Sequence, residues 1–318
     1  MALKEEEEVG ASSGRSEIAS IVPEDDQAPF WAVVLAFATL YVVWGSTYLG
    51  IKVAIETMPP FLMATARFLL AGMVLYGLAR ARGATKPTGS QWLHSTIVGG
   101  LMIAGGNGVV TFAETWIDSS MAALIIASGP FFMTLFGWWG GVQERPTWRV
   151  WLSVIGGFLG VGLLIGTGNG SVTNSFLGYG LVVVAVMLWT FAAVYSKRNP
   201  LKINVWLQSG MQMFCGGLVC LAAGAALGEF GDVDVAAISA RSWWAFGYLI
   251  AMGSLAGFTS YVYLLKHRSP SAVASHAYVN PVVAVGLGWL ILGETLTLGG
   301  ILGSGVILVC VFELLRRK

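Results

Sequence analysis

The 318 residues carry 18 Lys and Arg against 17 Asp and Glu, a formal net charge of +1, with 56% hydrophobic and only 11% charged residues. That balance leaves neither a concentrated basic face for a nucleic-acid partner nor room for a large soluble domain. Cys215, Cys220 and Cys310 all fall inside apolar helical stretches, and neither their odd number nor their spacing suggests a disulfide frame or a zinc site, so no metal and no cofactor is expected.

Residues 1–28 hold the acidic runs Glu5–Glu8 and Glu24–Asp26 among scattered Ser and Gly, which predicts a solvated, disordered tail. The acidic n-region and the lack of a short apolar segment with a cleavage site exclude a secretory signal. Ten stretches then reach the roughly 20 apolar residues a bilayer crossing requires. They run Trp31–Ile55, Pro60–Leu78, Trp92–Trp116, Ser119–Trp139, Trp148–Gly166, Phe176–Tyr195, Ile203–Leu227, Trp243–Leu265, Ala272–Gly293 and Thr297–Leu315. Even-numbered connections and the C-terminus hold Arg80, Arg82, Lys86, Arg145, Arg149, Lys197, Arg198, Lys202, Lys266, Arg268, Arg316, Arg317 and Lys318. Odd-numbered ones hold Glu56, Asp118, Glu229, Asp232, Asp234 and Glu294 against Arg241. Basic residues in short loops stay cytoplasmic. The expected fold is therefore an all-α polytopic membrane protein of ten transmembrane helices, both termini cytoplasmic, spanning the cell (inner) membrane.

The two halves share an order of landmarks. Ser128-Gly129-Pro130 corresponds to Val279-Asn280-Pro281, each proline near the middle of a helix rich in small residues. A Glu loop follows each, at Gln143-Glu144 and Gly293-Glu294, and each half opens with a Trp beside a small residue, Trp44-Gly45 and Trp189-Thr190. Five helices being an odd number, the second copy stands upside down in the membrane. This predicts inverted repeats over 29–168 and 175–318, an arrangement in which a central site faces either side in turn.

Trp44-Gly45-Ser46-Thr47, Pro59-Pro60, Ala66-Arg67-Phe68, Gly129-Pro130 and Gly293-Glu294 together resemble the drug/metabolite transporter superfamily with its paired EamA domains, across residues 30–315. The resemblance, similar to that of YddG-type amino-acid exporters, implies a ten-helix carrier with cytoplasmic termini, a central cavity lined by both repeats, and export of amino acids or other small metabolites. The second half departs from the pattern: nothing there matches Arg67, and its first helix lacks the Trp-Gly pair.

Ionisable groups in hydrocarbon are costly and are functional candidates by default. Lys52, Arg67 and Glu114 gather in the outer half of the first repeat beside Glu56 and Asp118, which predicts a mixed-sign cluster pairing Arg67 with Glu114 and Lys52 with Glu56. These are proton or ion-pair candidates, and a structural set of pairs joining the first three helices explains them equally. Asn107, Thr111, Glu114 and Asp118 share one face at helical spacing. Tyr41, Trp44, Tyr48 and Lys52 share another, whose rings can clamp an apolar substrate, stack on a cation or simply pack. His276 and Asn280 share a face of the ninth helix, where Pro281 removes a backbone donor; Ser128 beside Pro130 is the counterpart in the fourth. Both prolines are candidate kinks. Trp189 and Tyr261 complete the substrate-binding candidates, Trp44, Tyr48, Asn107, Thr111, Ser128, Trp189, Tyr261, His276 and Asn280. His276 is a possible proton relay or an interface histidine.

Gly156-x-x-x-Gly160 and Gly299-x-x-x-Gly303 read as packing seams or as a homodimer face, for a monomer or weak homo-oligomer. No P-loop, metal spacing or nucleophile elbow is present, so neither an ATP-driven pump nor an enzyme is expected. The leading reading is a secondary transporter exporting small metabolites, amino acids first among them, by alternating access through a central cavity. A carrier of lipophilic drugs, a pore and a membrane-embedded lipid enzyme are the alternatives.

Overall fold

The computed structural model describes residues 29–142, 144–166, 172–268, 273, 276–295 and 298–316. The acidic tail 1–28, the join at 167–171, Gln143, Leu296, Thr297, Arg317 and Lys318 lie outside the described residues. The chain divides into Met1–Leu35, whose described residues open the first helix, and Ala36–Lys318, to which everything below refers.

In chain order the helices are α1 (Phe30–Ala54), α2 (Pro60–Ala81), α3 (Gly89–Ala113), α4 (Ser119–Ile126 and Gly129–Trp139), α5 (Trp148–Gly166), α6 (Val172–Arg198), α7 (Val205–Ala226), α8 (Ala240–Tyr248, Leu249–Ala256 and Gly257–His267), α9 (His276–Leu287 and Gly288–Leu292) and α10 (Leu298–Arg316). No strand occurs among the described residues. The spans Phe30–Ala54, Pro60–Ala81, Gly89–Ala113, Ser119–Trp139, Phe176–Arg198 and Val205–Ala226 are long and apolar enough to cross a bilayer, and Val279–Leu292 and Ile301–Glu313 are shorter apolar helices.

Local chemistry sets several boundaries. Pro60 takes the first turn of α2, where its missing N–H costs nothing. Thr88 and Gln91 close a capping box at the start of α3, and Asn204 and Ser239 cap α7 and α8. Three stretches are wound as π-helix: Gly100–Gly108 in α3, Leu249–Ala256 in α8 and Gly288–Leu292 in α9. The first two interrupt the third helix of each predicted half. Such stretches shift the i→i−4 ladder and turn carbonyls out of register. Asn107 lies within the first, so the face it was expected to share with Thr111, Glu114 and Asp118 is not that of one unbroken α-helix.

Glycine decides which helices approach. A Cβ on Gly72 of α2 would stand 2.7 Å from the Phe214 nitrogen and 2.9 Å from the Gly210 carbonyl of α7, and one on Gly210 would stand 2.6 Å from the Tyr76 nitrogen. The α5 and α10 backbones meet likewise, with Gly160 against the Gly303 carbonyl and Gly156 against Cys310 Sγ. Both glycine seams are thus filled within the chain. The buried side chains form one cluster around α4, α6 and α10, including Phe131, Val182 and Ile307, and another around α2, α3 and α7, including Phe68, Ile103 and Met213. Outward faces carry exposed Leu152, Leu159, Leu290 and Leu302, with Trp139, Trp148, Trp244 and Trp289 near helix ends, as lipid contact and an interfacial belt require.

Candidate functional site

Two groups of side chains from different helices meet at the α8 π-helix. The first is aromatic. The Trp44 ring of α1 stacks on Tyr261 of α8, centroids 5.3 Å apart, and tilts against His276 of α9 at 5.2 Å, with Tyr261 and His276 6.3 Å apart. Trp44 Nε1 donates to the Gly253 carbonyl at 3.3 Å, within the π stretch. Two glycines make this possible. A Cβ on Gly257 would stand 2.5 Å from Trp44 Nε1, and one on Gly45 would stand 2.7 Å from Val283 Cβ and 3.1 Å from the Asn280 carbonyl. The Trp-Gly pair read from the sequence therefore supplies both a ring and the gap through which α9 reaches α1. Asn280 is buried one turn beyond His276, and neither its Oδ1 nor His276 Nδ1 has a hydrogen-bond partner among the described residues.

The second group is polar. Arg67, 5% exposed, donates from Nε to Ser254 Oγ at 3.0 Å, and its guanidinium lies 4.7 Å over the Phe68 ring. A Cβ on Gly253 would stand 3.2 Å from Arg67 Nη2, so Trp44 and Arg67 converge on one π-helical peptide unit. Glu114 is fully buried, with neither carboxyl oxygen hydrogen-bonded among the described residues.

Neither expected pairing is made as a hydrogen bond, although Glu114 stays within electrostatic reach of both Arg67 and Lys52. Arg67 makes no hydrogen bond to Glu114; the α8 π-helix delivers the Ser254 hydroxyl to it instead. Lys52 does not take Glu56. Its Nζ donates to the carbonyls of Glu114 at 2.5 Å and Ile117 at 2.8 Å, beyond the end of α3, where helix carbonyls lack internal partners and the dipole favours a cation. Glu56 lies within 3.6 Å of Arg241 in a largely exposed pair, which contributes little.

Two carboxylates of the connecting segments act as caps from one half to the other. Glu294 accepts from Ser119 N at 2.9 Å, Ser119 Oγ at 2.8 Å and Ser120 N at 3.1 Å, at the start of α4. Asp118 occupies the N-cap position there but makes no cap with its own side chain. Glu229 accepts from Phe61 N at 3.1 Å and Leu62 N at 2.8 Å, at the start of α2. Each follows a glycine in the left-handed region, Gly228 at φ +78° and Gly293 at φ +68°, which turns the chain so that the carboxylate points back. A Gly-Glu pair closing a helix was the available signal. With Lys52, and with Thr57, Ser239 and Ser242 linking to one another and to the Val53 carbonyl, these contacts bring the first, third, seventh and ninth connections to one end. Burial there, then the neighbouring Glu294 charge, push the Asp118 carboxyl above its ordinary range, with Lys52 opposing.

The other sequence candidates make contacts of their own. Ser128 is buried and donates to the Ile125 carbonyl at 2.6 Å, where α4 is interrupted at Ala127 and Ser128 ahead of Pro130. In α9 the helix runs through Pro281 without interruption. Thr111 donates to the Asn107 carbonyl at 2.8 Å, Trp189 packs against Gly106, and Tyr48 is half-buried one turn past Trp44. Glu144 is exposed. Among the described residues, no three His, Cys, Asp or Glu converge as a metal site.

Comparison with known proteins gives a consistent result. The sequence profile of the EamA-like transporter family matches twice, at residues 30–166 and 176–316. The Escherichia coli K12 protein described as "Uncharacterized inner membrane transporter YedA" is 35% identical over 277 residues, covering 87% of this chain and 88% of its own. The Bacillus subtilis "Uncharacterized transporter YoaV" is 25% identical, covering 90% and 99%. A crystal structure at 18% identity superposes with a TM-score of 0.62 over 90% of this chain and 98% of its own, which establishes likeness of fold.

Proposed function

Since this chain belongs to the EamA-like transporter family, and is thus a multi-pass membrane transporter rather than an enzyme, we propose that it is a secondary carrier exporting small metabolites, amino acids first among them. Ten helices form two inverted five-helix repeats, 29–168 and 175–318, with the termini and the basic even-numbered connections in the cytoplasm. One central site, exposed to each side in turn, lies around Trp44, Tyr261, His276 and Asn280, with Arg67 and Glu114 on its outward side.

The observation that carries this reading is the ring cluster itself, in which Trp44 comes from the first half and Tyr261 and His276 from the second. A site assembled across halves changes its exposure when one half rocks against the other. The glycine seams support the symmetry. Under the repeat, α2 corresponds to α7 and α5 to α10, and each pair packs on itself, as elements beside a two-fold axis must. These seams are used inside the chain, which favours a monomer. The clasped odd-numbered connections correspond to an outward-closed state. Arg67 would meet a substrate carboxylate, because only its Nε is engaged by Ser254 and a guanidinium offers further donors.

The test is counterflow in proteoliposomes with radiolabelled amino acids, sugars and cationic dyes. Saturable uptake driven by the same unlabelled amino acid, lost in Trp44→Ala, is the expected result. Non-saturating flux without counterflow would establish a pore instead, and counterflow of the dyes alone a carrier of lipophilic cations. Cysteine labelling that placed 80–86 and 197–202 in opposite compartments would refute the topology.

A further inference from the structure

Around α1 several buried donors are engaged: Trp44 Nε1 with the Gly253 carbonyl, Arg67 Nε with Ser254 Oγ, Lys52 Nζ with two backbone carbonyls, and Thr47 Oγ1 with the Trp44 carbonyl at 2.6 Å, while the Arg67 guanidinium keeps further donors. Among the described residues, the unpartnered buried side-chain atoms nearest these groups can all accept. They are Asn280 Oδ1, both oxygens of Glu114, and His276 Nδ1, which accepts in the tautomer protonated at Nε2. A buried acceptor without a partner is costly, and a ligand recovers that cost only by bringing hydrogen-bond donors.

The rings around these atoms narrow the choice of donor. The Trp44, Tyr261 and His276 rings lie with centroids 5.2–6.3 Å apart, and Asn280 is 7% exposed on the same helix as His276. Aromatic faces attract a cation that has left bulk water, whereas they repel a carboxylate. An ammonium nitrogen meets both requirements, giving N–H groups to Asn280 and His276 and its charge to the ring faces.

We propose that the Trp44–Tyr261–His276–Asn280 cluster is an amine subsite, so that the protein takes substrates bearing a protonated amino group on an apolar or aromatic body and does not require the carboxylate. The assignment rests on the ring cluster being the substrate site. It goes further by naming the group recognised there and the residues that select it.

Three probes with a common phenyl body isolate the point: 2-phenylethylamine carries only the amine, 3-phenylpropionate only the acid, and phenylalanine both. Binding to the purified full-length protein is measured by calorimetry, and transport by trans-stimulation in proteoliposomes. The amine and the amino acid are expected to bind, with the acid weaker by about tenfold or more, the factor carried by one hydrogen bond to a charged group. Asn280→Leu, which keeps the branched shape and removes the acceptor, is expected to erase most of that preference. The wild-type comparison stands even if the variant fails to fold. Equal binding of acid and amine, or binding of neither probe, would overturn the amine subsite. If trans-stimulation by phenylalanine nonetheless persists, the carrier reading survives its loss; absence of trans-stimulation by any amino acid would remove the carrier reading itself.

Discussion

The Glu294 clasp allows a prediction at the level of single amides. The N–H groups of Ser119 and Ser120 open α4, so they have no partner within the helix, and their protection from solvent exchange depends on the Glu294 carboxylate. A hydrogen bond to a charged acceptor contributes about 1.5–3 kcal/mol net, and a neutral one about 0.5–1.5 kcal/mol. In Glu294→Gln the amide oxygen can keep both Ser119 bonds at neutral strength, while the NH2 group is turned against the Ser120 N–H. Losing one charged bond and weakening two costs roughly 3 kcal/mol or more. Relief of the repulsion between Glu294 and Asp118 returns part of this, leaving about 2–4 kcal/mol. The opening equilibrium at this end should therefore rise roughly thirtyfold to several hundredfold. Hydrogen exchange followed by mass spectrometry, on protein in lipid nanodiscs, reads that equilibrium directly for a peptide covering 117–121. Faster exchange confined to the α4 start, with the Phe61 and Leu62 amides unchanged, is the expected pattern. Unchanged exchange at Ser119 and Ser120 would refute the claim that the carboxylate holds this end closed.

Other outcomes follow from the same geometry. Glu229→Gln should lower the unfolding temperature while changing transport less than Glu294→Gln does, because its junction is also held by Thr57, Ser239, Ser242 and Arg241; thermal denaturation beside counterflow rates checks this. Gly72→Ala should destabilise by about 1–3 kcal/mol or more, since the added methyl meets backbone atoms of α7 that cannot turn aside, and the monodisperse fraction on size exclusion reports it. Trp44→Phe keeps a ring but loses the bond to Gly253, so apparent substrate affinity should fall less than in Trp44→Ala. Asp118 has a folded-state pKa above its unfolded value, so its burial disfavours the folded state at neutral pH, and this penalty disappears as pH falls through the raised value towards the ordinary carboxylate range. Asp118→Asn should accordingly melt higher than wild type at pH 7, with the advantage shrinking in acid; an advantage independent of pH would contradict the shift.

The membrane class, the helical character and the family were legible in the sequence, because a bilayer imposes long apolar runs and excludes charge from them, and such constraints act residue by residue along the chain. The rings of Trp44 and Tyr261, the pair His276 and Asn280, and the buried charges Arg67 and Glu114 also stood out singly, since each is costly or unusual at that depth. Tertiary structure alone decided which of them meet. Pairing Arg67 with Glu114 and Lys52 with Glu56 assumed that opposite charges at one level find each other. The π-helix in α8 and the open carbonyls beyond α3 offered Arg67 and Lys52 other partners, and those depend on where neighbouring backbones lie. Glu229 and Glu294 looked like loop acids for the same reason: the helix starts they cap are 168 and 175 residues away in sequence, and no local pattern records a contact made across the two halves.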